Sequence, residues 1–240
     1  MSPPYLIIIA SLLAGSLLSA QESAPVPAKP NAHELHKIEG WEVHVDRRLL
    51  EGSEKDLGSR ALKLIEGRLH EIVVILPADK VKRLQQVPIW IDLSHGELKS
   101  MQYHPSKSWL KKNGYDPALA KGFHIPDASR FASAKHHHTQ PWATLHELAH
   151  AYHDQVLGFD QKEVHQAWVK FCESKKYEEV RHISGRMRPH YALTNQKEFF
   201  SEMTEAYFGM NDFYPYHRDD LRMAEPEIFD LMKSIWGPLP

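Results

Sequence analysis

The chain has 240 residues, with 31 acidic side chains against 29 basic ones and a formal net charge of −2. That length holds one good-sized core rather than an array of domains, and the near-balance of charge supplies no basic excess for a nucleic-acid backbone. A single cysteine, Cys172, excludes an internal disulfide and a Cys-rich zinc module, while 17 histidines direct attention to metal.

Residues 5–18 are an apolar run of secretory-signal length, shorter than the roughly 20 residues a spanning helix needs. Ser19 and Ala20 follow, so residues 1–20 read as a signal peptide cleaved after Ala20; an uncleaved anchor is the competing reading. A secreted or periplasmic protein without stable membrane insertion after cleavage is expected. Residues 21–34 read as a Pro/Ala-rich linker and 35–240 as a single domain.

Trp41, Val43 and Val45 alternate with polar residues, a half-buried strand over 40–46. Leu57, Ala61, Leu64, Ile65, Leu69, Ile72 and Val73 recur at helical spacing over 56–76. A second strand spans 87–93, with Pro88 at its start. Residues 94–134 read as loops with one or two short strands. Thr139-Gln140-Pro141 is a helix-entry signal, predicting a helix over 141–157 closed by Gly158. Further helices are expected over 161–174, 195–210 and 226–236. Strands early and helices late give an α+β fold, with a small mixed N-terminal sheet and a mainly helical C-terminal half.

His146-Glu147-Leu148-Ala149-His150 is an H-E-x-x-H pattern. On a helix its two imidazoles share one face and can reach one ion, with the glutamate placed to take a proton from water. A catalytic zinc needs a third protein ligand. The metzincin continuation requires Gly at 153 and His at 156, where this chain has His153 and Val156. A glutamate on a later helix remains. Glu198, Glu202 and Glu205 fall at i, i+4 and i+7 beside Phe199, Phe200, Met203 and Tyr207. Glu205 reads as part of a solvated face. Of Glu198 and Glu202, at least one points inward, and spacing does not choose between them. The other suits a carboxylate that hydrogen-bonds a ligand histidine.

HELAH together with HYALTNQKEFFSE, residues 190–202, resembles the catalytic domain of anthrax lethal factor and its relatives, including the Pro-Pro endopeptidases. In that family a Tyr precedes the third-ligand Glu by seven residues and a second Glu follows it by four, as Tyr191, Glu198 and Glu202 do here. The resemblance covers roughly residues 142–207 and implies a zincin-like fold. It further implies that His146, His150 and Glu198 hold zinc, Glu147 is the general base, Tyr191 donates to a developing oxyanion, and Glu202 supports a ligand. The implied activity is zinc-dependent endopeptidase action on a peptide or protein substrate.

Two other classes compete. A di-iron or di-manganese bundle would use Glu147…His150 and Glu179…His182 with Glu198 and Glu202. A non-catalytic binding module on the same scaffold would need neither Glu147 nor Tyr191. Lys135-His136-His137-His138 reads as a solvated loop, His153 as a surface residue, Cys172 as a small core residue, and His190 as a candidate substrate contact.

Overall fold

The computed structural model describes residues 26–239, so the expected signal peptide lies outside the described residues. The chain is a mixed α/β domain. Strand β1 (His33–Ile38) turns back antiparallel onto β2 (Trp41–Asp46). The long helix α1 (Lys55–Ile75) and the short α2 (Ala78–Leu84) then carry the chain over to β3 (Ile89–Ile91), which pairs parallel with β2. After β4 (Gln102–Tyr103) and α3 (Lys107–Lys112) comes β5 (Phe123–Ile125), parallel to β3 and antiparallel to β4. The sheet order is β1-β2-β3-β5-β4, so β4 forms an edge.

Helices α4 (Ala128–Phe131), α5 (Ala134–Thr139), α6 (Ala143–Tyr152) and α7 (Lys162–Glu173) follow. A small hairpin of β6 (Val180–Arg181) and β7 (Met187–Arg188) leads to α8 (Gln196–Phe208), α9 (Arg218–Ala224) and α10 (Pro226–Trp236). No helix among the described residues is long and apolar enough to cross a membrane.

The two faces of the sheet carry different chemistry, because successive strand residues point to opposite sides. Val43, Val45, Ile89, Ile91, Phe123 and Ile125 belong to the continuous core with Ile65, Leu69 and Ile72 of α1 and Leu145, Leu148 and Ala149 of α6. Each such buried aliphatic side chain contributes roughly 1.5–3 kcal/mol. The intervening residues His44, Trp90 and His124 face the other way, where His44 stacks on Trp90 at 4.0 Å and His33 meets Trp90 edge-on at 4.9 Å. At the C-terminal end, Trp236 packs on Tyr152 and Phe200 and donates from Nε1 to Thr204 Oγ1 at 3.1 Å, tying α10 to α6 and α8.

Four expectations need correction. The chain is already in a strand at His33, and the segment before it is held by Ala28, whose carbonyl accepts from Ser94 Oγ at 2.6 Å. Residues 135–138 are not a loop: Ser133 caps α5 by accepting from His136 N, so Thr139 closes that helix instead of opening the next. Pro141 separates the two, and α6 begins at Ala143 without a side-chain cap. The motif helix also changes pitch, with residues His153–Leu157 forming a π-helical turn before Gly158 at φ 83°. Finally, 78–84 and 218–224, unassigned from the pattern, are helices.

Candidate metal centre

Helices α6 and α8 pack side by side in opposite senses, so the start of α6 lies by the end of α8 and His150 meets the first turn of α8. Asn195 caps α8 by accepting from Lys197 N at 2.9 Å and Glu198 N at 3.1 Å, which sets Glu198 in the first turn. At the far end of α8, a Cβ on Gly209 would collide with the Trp142 ring just before α6, so only glycine permits this close approach. The result brings together His146, His150 and Glu198. His146 Nε2 lies 3.1 Å and His150 Nε2 3.2 Å from the same oxygen, Glu198 Oε2.

The outer contacts of the two imidazoles decide what those distances mean. His146 Nδ1 is 2.6 Å from Glu205 Oε1, a carboxylate oxygen, so Nδ1 carries the donated proton. Ser201 Oγ donates to His146 O at 3.0 Å, leaving its lone pairs to accept from His150 Nδ1 at 3.1 Å. Tautomers assigned from these partners turn both Nε2 lone pairs toward Glu198 Oε2. With those tautomers three acceptors face one point, which either a cation or a proton on an Nε2 must hold together. Atoms 2.0–2.1 Å from a tetrahedral zinc ion lie about 3.3 Å apart, close to the distances found. The donor set and its spacing therefore fit zinc.

Glu147 sits on the same turn of α6 and lines a cleft of about 740 Å³ together with His146, His150, Tyr191 and Glu198. Its Oε2 accepts from the backbone N–H of Tyr103 on the edge strand at 2.7 Å, which fixes the carboxylate at the cleft floor. Tyr191 lies on a 3₁₀ turn, 47% exposed, with its ring centroid 6.4 Å from that of His146. It is an open cleft residue, not a core aromatic.

The cleft is rich in anions. Burial pushes Glu147 up to about 8, Glu205 to about 7 and Asp212 to about 6, and raises Glu202 well above the usual carboxylate range. Burial would also raise Glu198, but hydrogen bonds from His146 and His150 override it and hold that carboxyl low. Burial would lower His146, yet its bonds to Glu198 and Glu205 carry it well above its ordinary value. Among the described residues, no Lys or Arg forms an ion pair with Glu147, Glu198, Glu202, Glu205 or Asp212. A divalent cation here would counter the upward shifts of the buried acids and of His146.

Glu205 is the residue the pattern missed. It is 3% exposed, not solvated, and makes the short contact to His146. Glu202 is equally buried but stands 3.7 Å from His146 Nδ1 and from His190 Nδ1, with its Oε2 unpartnered. Four further readings change. His153 is fully buried between Phe159 and Phe200. His190 is buried, accepts from Ala192 N and does not line the cleft. His136 of the histidine run does line it, and Cys172 is only half-buried. Glu179 is exposed and His182 bonds Ser184 and Asp212, so the pair a di-metal bundle would require does not join His146 and Glu198. Comparison with family models, curated proteins and solved structures yields no match to this chain.

Proposed function

We propose that this protein is an exported zinc-dependent endopeptidase with a zincin-like fold, similar in its site to the lethal-factor family. The observation that carries the reading is the convergence of two imidazole lone pairs and one carboxylate oxygen, with Glu147 beside them on an open cleft. His146, His150 and Glu198 would hold the ion. Zinc, when bound, supplies a Lewis acid and lowers the pKa of water to near neutrality.

The chain's own groups do the rest. Glu147, anchored by Tyr103 N–H, takes a proton from the attacking water and passes it to the leaving amine. Tyr191 has a phenol that burial and the charge of Glu198 keep protonated, so it can donate to an oxyanion. Glu205 and Ser201 hold the two imidazoles in register. The exported location rests on the signal-like run over 5–18.

A peptide-library digest with parallel metal analysis tests this reading. Glu147→Gln should lower turnover by about 10⁴ with zinc content unchanged, since the group acts on water and not on the ion. Glu198→Ala should lose one zinc equivalent along with activity. An active Glu147→Gln protein, or a Glu198→Ala protein with wild-type zinc, would overturn it.

A further inference from the structure

A second group of metal-ligating side chains lies away from the cleft. Asp92 follows β3, His95 sits in the loop after it, and His124 is the central residue of β5, on the face opposite Phe123 and Ile125. All three are buried, Asp92 and His124 completely. His95 Nδ1 is 2.6 Å and His124 Nε2 2.8 Å from one oxygen, Asp92 Oδ2. One ligand atom from each therefore lies within 4.8 Å of the others.

Outer partners complete the group. His33 Nε2, from the first residue of β1, holds Asp92 Oδ1 at 2.7 Å. His104 Nε2 meets His124 Nδ1 at 3.1 Å, an outer contact that orients the His124 ring. Asp92 has no Lys or Arg partner among the described residues; the nearby Arg48 is committed to Asp46 at 2.5 Å. A carboxylate buried this deeply requires a positive partner. His95 Nε2, on the ring edge away from Asp92, is buried with no hydrogen-bond partner.

We propose that Asp92, His95 and His124 form a second, structural site for a first-row divalent cation such as zinc, distinct from the cleft. The nitrogen-rich donor set suits zinc and its neighbours and not magnesium or calcium. The 2.6 and 2.8 Å approaches are about 0.7 and 0.5 Å short of a tetrahedral edge, and His95, carried on a loop, supplies the larger swing. The ion would staple β3, β5 and the 93–101 loop, with β1 held through His33. In a chain with one cysteine, such a site does the work that disulfides do elsewhere in exported proteins.

The test counts metal in the full chain, loaded with zinc and freed of excess. Wild type should hold two equivalents, Glu198→Ala one, Asp92→Asn one, and the double variant none. Zinc should still raise the Tm of Glu198→Ala, by about 5–10 °C at saturation, and His95→Gln in that background should remove the rise. Should Asp92→Asn fail to fold, Glu198→Ala with and without His95→Gln decides alone. A Glu198→Ala protein with neither zinc nor a zinc-dependent rise overturns the proposal, as does a retained equivalent indifferent to Asp92 and His95. If instead Glu198→Ala keeps two equivalents while Asp92→Asn loses one, the sheet-face site stands and the cleft assignment fails.

Discussion

The cleft and the covered face of the sheet each bring two imidazole nitrogens to one oxygen of one carboxylate, yet opposite chemistry surrounds the two clusters. Around Glu198 the next neighbours are acids: Glu147, Glu202, Glu205 and Asp212. Around Asp92 they are imidazoles, His33 and His104. The approaches differ too, 3.1 and 3.2 Å in the cleft against 2.6 and 2.8 Å on the sheet face. In the cleft the outer acid and hydroxyl fix both tautomers with lone pairs inward, whereas a His–His contact is compatible with either tautomer. Identical residue types thus turn lone pairs inward beside an open cleft in one place, and close on short hydrogen bonds in the other. Outer contacts, more than ligands, make that distinction.

Tyr191→Phe should sharpen it most. The substitution deletes one oxygen from a residue with no counterpart on the sheet face, so turnover should fall by about 10²–10³ with KM nearly unaltered. Both metal equivalents should remain, because the ring beside His146 is kept and no ligand is lost. Steady-state kinetics with metal analysis checks both; full activity in Tyr191→Phe would remove the oxyanion role.

Next comes Glu205→Gln, which keeps shape and removes the charge behind His146. The amide can offer its oxygen to the same N–H, but without the charge that makes the bond strong. Zinc affinity at the cleft should weaken by 10–100-fold, read by chelator competition in the Asp92→Asn background. Glu202→Gln should weaken it less, since Glu202 stands 3.7 Å from His146 Nδ1 where Glu205 stands at 2.6 Å. Equal losses would mean that the two acids act as one field.

What the sequence could and could not reveal follows from the same contrast. The i, i+4 spacing of His146 and His150 is local, so that pair was legible from pattern, whereas spacing left Glu198 and Glu202 open and only the family resemblance chose Glu198. Glu205 was not legible, because a glutamate two turns along an amphipathic helix reads as solvated unless the opposing helix is known. The sheet-face group is harder still. His33, Asp92, His95, His104 and His124 come from separate strands and loops, and only the β1-β2-β3-β5-β4 order gathers them. The strand at 41–46 showed its alternation and the apolar run around 89–91 marked β3, while β4 and β5, with two and three residues, lie in a stretch without a readable period.

The smallest effect belongs to Ser201→Ala. This hydroxyl accepts from His150 Nδ1 and donates to His146 O, a carbonyl that helix α6 itself uses. Removing it leaves no carbonyl stranded but deletes two hydrogen bonds, at a cost of about 0.5–1.5 kcal/mol each to stability. Its consequence for the ion is orientation. Without an acceptor at Nδ1, the His150 ring no longer prefers the tautomer with its lone pair inward, and zinc affinity should drop by about tenfold, the low end for a lost outer contact. The sheet-face equivalent should be untouched, because no residue of that group contacts Ser201. Chelator competition on Ser201→Ala and on Ser201→Thr, which restores the hydroxyl, separates orientation from packing. If Thr fails to recover the affinity while matching the stability of wild type, the hydroxyl does not set the tautomer, and the difference in outer contacts between the two clusters loses half its support.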